Sequence, residues 1–167
     1  MEIEKNNRPK IDIELTMVDN WLNALTWSLF GVMWFFVYFC SQRLPETIPT
    51  HLNAVGEADG WGSKATFWLL PILGTAIFVL LTFLMRMPEK FNYAVAITPE
   101  NAHRQYANAV RMMRFLRLSI LLIFSSLLLV IWQISLGQKS MGAWLLPFVL
   151  GMVMLPMGYF IWKSLKK

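Results

Sequence analysis

Apolar and polar positions alternate along this chain in long blocks, and four apolar blocks stand out. Residues 21–40 run from Trp21 to Cys40 without a charge, close to the ~20 residues that cross about 30 Å of hydrocarbon. Residues 67–85 form a second block, with Pro71 and Gly74 in its first turns, where proline is tolerated best. Residues 118–134 form a third. Residues 141–162 form a fourth, with Pro147 and Pro156 expected to kink it. The pattern predicts an all-α integral membrane fold of four transmembrane helices, with a tail over 1–20 and a membrane domain over 21–167.

The polar stretches between the blocks predict the rest. Asp19 or Asn20 is placed to cap the first helix. Residues 136–140 read as a short turn. Thr98-Pro99-Glu100 reads as a cap, a first-turn proline and a first-turn acid. No breaker intervenes before the third block, so one helix of about 35 residues is expected, roughly 50 Å long at 1.5 Å per residue. Its first part would project from the membrane. Residues 11–16 and 92–97 alternate apolar and polar with period two, and the two segments are expected to pair as a small cytoplasmic ribbon.

Charge orients these elements. Twelve of the fifteen Lys and Arg lie in the tail (among them Lys5), the 86–117 connector and the C-terminal end with Lys167; only Arg43, Lys64 and Lys139 lie on the other side. The positive-inside bias predicts both termini in the cytoplasm of a bacterial inner-membrane protein. Residues 41–66 would then form an extracytoplasmic loop. Composition agrees: the chain of 167 residues is 56% apolar and holds 8 Trp and 12 Phe. Cys40 stands alone, which excludes an internal disulfide and a cysteine-built zinc site.

The outer loop holds the candidate chemistry. Pro45 and Pro49 restrict the backbone, while Gly56, Gly60 and Gly62 allow sharp turns, so a shaped loop is expected. Trp61 and Trp68 suit the headgroup level, and Lys64 can snorkel there. His51, Asn53, Glu57 and Asp59 lie within nine residues. Three readings stay open: a hydrogen-bonded polar network, a surface that recognises a peptide, and a metal site on His51, Glu57 and Asp59. The last lacks paired ligand spacing of the HExxH kind.

Elsewhere, Arg104, Arg111, Arg114 and Arg117 read as a cytoplasmic basic face for anionic lipid headgroups or a cytoplasmic protein. Nothing marks a nucleic-acid motif, and His103 reads as an exposed helix residue. Asn23, Gln133 and the helix serines read as interhelical glue. With no charge in mid-span, ion-coupled transport is not expected. No nucleophile–base–orienter set supports an enzyme, and no cofactor is implied.

The loop residues Leu44-Pro45, Ile48-Pro49-Thr50-His51-Leu52-Asn53, Gly56 and Asp59-Gly60-Trp61-Gly62-Ser63-Lys64, with Pro71 beyond them, resemble the signature of a bacterial membrane domain of unknown function. That domain also forms the N-terminal part of the SdpI immunity proteins. Phe91-Asn92-Tyr93, Ile97-Thr98, Glu100-Asn101 and Arg104-Gln105-Tyr106 resemble the next segment of those proteins. The resemblance implies a non-enzymatic protein of peptide-toxin immunity or envelope sensing, with the loop as its site. SdpI proteins carry further helices beyond this domain, which the four spans here would not include. A metal-dependent membrane enzyme and a structural subunit of a membrane complex are the alternatives.

Overall fold

The computed structural model describes residues 8–138 and 142–166. The expectations for Lys5, Lys139, Ser140, Met141 and Lys167 lie outside the described residues. The chain is mostly helical: α1 (Met17–Ser41), α2 (Leu69–Leu84), α3 (Ala102–Ser135) and α4 (Leu145–Leu165). Single 3-10 turns precede α2 and α4, at Lys64–Trp68 and Gly142–Trp144. With those turns counted, all four are long and apolar enough to cross a membrane. This is the architecture of a multi-pass membrane protein.

The central post is α3, against which α1, α2 and α4 each pack. Its 34 residues form one unbroken helix, as the lack of a breaker before the third apolar block predicts. The helix begins at Ala102, a few residues past the expected start. Thr98 and Asn101 share the cap: the Thr98 amide donates to Asn101 Oδ1 at 2.9 Å, and the Ala102 amide donates to the Thr98 carbonyl at 2.9 Å. At the start of α1 the cap is Thr16, not Asp19 or Asn20. Asp19 is the third helical residue and completes a capping box with Thr16.

Two apolar clusters hold the molecule. The larger joins Met33, Val37 and Cys40 of α1, Phe78 of α2 and Leu121, Leu128 and Ile131 of α3, and it extends into Leu44, Ile48 and Phe67. The segment after α1 is thereby fastened to the helices. The smaller joins Ile97, Ala102 and Tyr106, with Ile11, Ile13 and Tyr93 packed on it, at the opposite end of the helices.

That smaller cluster corrects the ribbon expected for 11–16 and 92–97. The two segments meet, but neither is a strand. Their alternation is real as burial, since Ile11 and Ile13 are half-buried between the exposed Asp12 and Glu14. The backbone does not form a ladder, and side chains take polar atoms of both segments: Asn101 Nδ2 donates to the Ala96 carbonyl at 2.9 Å, and the Thr16 amide donates to Asp19 Oδ2 at 3.0 Å. Arg8 donates to the Phe91 carbonyl at 2.8 Å and lies over the Tyr93 ring. The Tyr93 hydroxyl donates to the Pro88 carbonyl at 2.8 Å. Burial pushes the Tyr93 phenol well above its ordinary pKa, which keeps that donor protonated.

The one sheet among the described residues lies instead in the loop between α1 and α2. There β1 (Thr47–Leu52) pairs antiparallel with β2 (Ala58–Ser63).

Candidate functional site

The hairpin is built by its turn. Asn53 Oδ1 accepts from the amides of Val55 at 3.0 Å and Glu57 at 2.9 Å, and the Asn53 amide donates to the Glu57 carbonyl at 2.8 Å. An Asn side chain replaces water at the tip in this way. Gly56 closes the turn at φ 78°, and a Cβ there would collide with the backbone of Gly142. The tip of the hairpin is therefore seated on the turn that opens α4.

Two irregularities shape the strands. Pro49 pairs with Trp61, His51 with Gly60 and Leu52 with Ala58. Thr50 is thus an extra residue on β1, and Asp59 an extra residue on β2. Pro49 fits here because it needs no ladder donor at an edge or bulge. Gly60 and Gly62 fit because added Cβ atoms would lie 2.9 Å from His51 Cβ and 2.9 Å from Thr50 Cγ2. The bulge at Asp59 brings its carboxylate to His51, with Nδ1 and Oδ1 2.5 Å apart. Pairing with a carboxylate makes Nδ1 the donor and leaves Nε2 for another partner. Both side chains stay open to solvent, 71% and 46% exposed.

Beneath the hairpin lies a cavity of about 590 Å³, within the range of small-ligand sites. It exists because α2 and α4 both pack on α3 and not substantially on each other. Leu127 and Ile131 of α3 line it. Leu69, Leu70 and Leu73 of α2 and Leu145, Leu146 and Val149 of α4 join them, and the hairpin lies along it from Ile48 to Asn53. Its lining is apolar apart from Thr50, His51, Asn53 and Thr66. An apolar chamber with its few polar groups on or beside the hairpin can take an apolar group and orient whatever polar group is attached to it.

Of the loop residues singled out by sequence, His51, Asn53 and Gly56 line this cavity, as does Pro49. Asp59 reaches it through His51. Trp61 is exposed on β2, and Pro45 is exposed before β1. Lys64 is paired with Glu46 at 2.8 Å. Glu57 is directed to Asn53, 3.4 Å from Nδ2. It is not part of the His51–Asp59 pair, and among the described residues no three such side chains converge on a metal position. The α2, α3 and α4 residues of the cavity carry no signal in the sequence, since every apolar span supplies the same residue types.

The basic positions do not form one outward face. Arg104 and His103 are exposed. Arg111 is directed inward to Asp19 of α1, with Nε 3.1 Å from Oδ1 and a terminal nitrogen 2.9 Å from Oδ2. Arg114 lies 3.0 Å from the same carboxylate, which is fully buried. Arg117, also buried, donates to Thr82 of α2 at 2.9 Å and Asn23 of α1 at 2.6 Å, and lies over the Phe78 ring. The reason is geometric. Successive arginines three residues apart stay on one helix face, and on α3 that face meets α1 and α2. Asn23 is glue, as expected, whereas Ser135 donates within its own helix, to the Ile131 carbonyl at 2.7 Å.

Residues 28–75 match the family described as Domain of unknown function (DUF1648). This stretch holds the end of α1, the whole hairpin and the start of α2. An uncharacterized protein of Archaeoglobus fulgidus is 34% identical over 55 residues, which is 31% of this chain and 30% of that protein. The chain thus spans under a third of the curated relative it matches. No solved structure matches.

Proposed function

We propose that this is a non-enzymatic receiving protein of a bacterial inner membrane, in which the hairpin and the cavity beneath it bind an amphipathic peptide. The chain is oriented with both termini in the cytoplasm and the hairpin outside, as the bias of Lys and Arg favours. An apolar side chain of the peptide enters the cavity, and its polar or basic groups meet Asp59, His51 Nε2 and Asn53 at the rim. Immunity to a secreted membrane-active peptide, or sensing of one, is the role this gives the chain. The observation that carries the reading is the apolar cavity of about 590 Å³ lying against a hairpin whose His51 and Asn53 line it.

The test uses full-length protein in nanodiscs and a panel of secreted cationic membrane-active peptides. A peptide that binds the native protein and binds His51→Ala at least tenfold more weakly, with helicity unchanged, supports the reading. A panel without binding, or binding indifferent to His51→Ala and to a cavity-filling Leu73→Trp, overturns it. Survival of a toxin-sensitive bacterium expressing either form gives the cellular counterpart, with empty vector beside it.

A further inference from the structure

A second cavity lies at the other end of the helices, between the start of α1, α3 and α4. It measures about 550 Å³. Its walls differ along their length. Phe115, Leu155 and Phe160 are apolar, whereas Arg111 and Lys163 supply two cations; the hydroxyl of Thr16, also in the wall, donates to Asp19 at 2.6 Å.

The cations that α3 and α4 bring here outnumber the carboxylate paired with them. Arg111, Arg114, Arg117 and Lys163 bring four positive charges to this end of the bundle, and Asp19 is the carboxylate ion-paired with two of them. Arg117 has neutral oxygen partners, and Lys163 is exposed in the last turn of α4. Cations held in and beside hydrocarbon need an anion nearby. The cavity walls themselves are firm: Asn108 donates to the Phe160 carbonyl at 2.8 Å and Gln105 to the Ser164 carbonyl at 2.9 Å. These two bonds fix α4 against α3 while leaving the space toward α1.

We infer that this cavity binds one anionic phospholipid. The phosphate sits between Arg111 and Lys163, and an acyl chain lies along Phe115 and Leu155. The combination of cations at one edge and apolar walls at the other fits a phospholipid, because a free phosphate would leave the apolar part empty. A zwitterionic lipid would leave the positive charge unbalanced. This site is separate from the hairpin cavity, and neither inference depends on the other.

The full chain is purified in a neutral detergent and titrated with phosphatidylglycerol, phosphatidylcholine and inorganic phosphate, each read by thermal unfolding and by native mass spectrometry. One retained phosphatidylglycerol and a raised unfolding temperature are expected, with no comparable effect of the other two. Lys163→Gln should weaken phosphatidylglycerol about fivefold, the loss of one headgroup cation. Lys166→Gln changes net charge equally but alters a lysine that lies over the Trp162 ring, and it should leave binding intact. Equal stabilisation by phosphatidylcholine, reproduction of the effect by inorganic phosphate, or equal losses in the two lysine variants would each overturn the site. So would an unchanged affinity in Lys163→Gln at native helicity.

Discussion

The two polar ends of this molecule are built on opposite principles. At the hairpin end the ion pairs His51–Asp59 and Glu46–Lys64 lie in the open, with Glu46 85% exposed. At the end that carries the described termini, Asp19 is fully buried between Arg111 and Arg114. Exposed pairs contribute little to stability, since water and salt compete with them. A buried pair is costly to form and far more costly to break, because the abandoned charge has nowhere to go. The comparison teaches where mutations unfold this chain and where they only silence it. The buried network ties α1 to α3, while Arg117 ties both to α2. The His51–Asp59 pair orients His51 beside a cavity, and its exposure leaves both side chains free to change partner.

The largest expected effect breaks the comparison at its buried end. Asp19→Ala removes the shared partner of Arg111 and Arg114 and the reciprocal half of the α1 cap. Stability should fall by about 3–5 kcal/mol, read as a lower unfolding temperature in detergent and less protein in the membrane. A loss below about 1 kcal/mol would mean that the buried network is no stronger than a surface pair.

Next comes Gly56→Ala, the one hairpin change expected to act on the fold. It places a side chain in the left-handed region, which costs about 1–2 kcal/mol, and drives a Cβ into the backbone of Gly142. The tip must lift off α4, opening the cavity. Increased proteolysis within residues 50–60, together with lost peptide binding, is the expected outcome. An unchanged cleavage pattern would mean that the tip is not seated on α4.

How much of this is legible in the sequence obeys the same division. The helices are legible because hydrocarbon imposes a length and a composition on any segment that spans it. The single long α3 is legible from the absence of a breaker. The sheet is not, because Pro49, Gly60 and Gly62 are residues that argue against strands. Here the proline sits next to the Thr50 bulge, and the glycines make room for Thr50 and His51. A signal is present: Asn53 and Gly56 bracket a short turn between Thr47–Leu52, with its threonines and isoleucine, and Ala58–Ser63. Conversely, the period-two alternation at 11–16 and 92–97 reports burial alone, since a side-chain pattern cannot say which groups the backbone bonds. The arginines read as outward because a charge near a span end usually is. Their true direction depends on which face of α3 meets α1, and that is set by packing between segments far apart in the chain.

A smaller effect sharpens the picture within the hairpin. Asn53→Ala leaves the amides of Val55 and Glu57 without their side-chain acceptor. Both are near water, so global stability should change little. Their hydrogen exchange should quicken about tenfold, the equivalent of roughly 1.4 kcal/mol of local opening. If exchange at Val55 and Glu57 is already fast in the native protein, the turn is not held by Asn53.

The smallest expected effect on stability is the most informative about function. His51→Ala and Asp59→Ala each delete an exposed pair and should lower stability by less than about 1 kcal/mol. The double variant should cost little more than either single one, since removing both partners leaves no abandoned charge. Peptide binding should nevertheless be lost in all three, because each lacks the rim beside the cavity. Equilibrium unfolding and binding measured on the same preparations separate the two roles. Large stability losses from either single variant would make the pair part of the scaffold, erasing the distinction between the two ends. Intact stability with intact binding would move the recognition role off the rim and onto the apolar walls contributed by α2, α3 and α4.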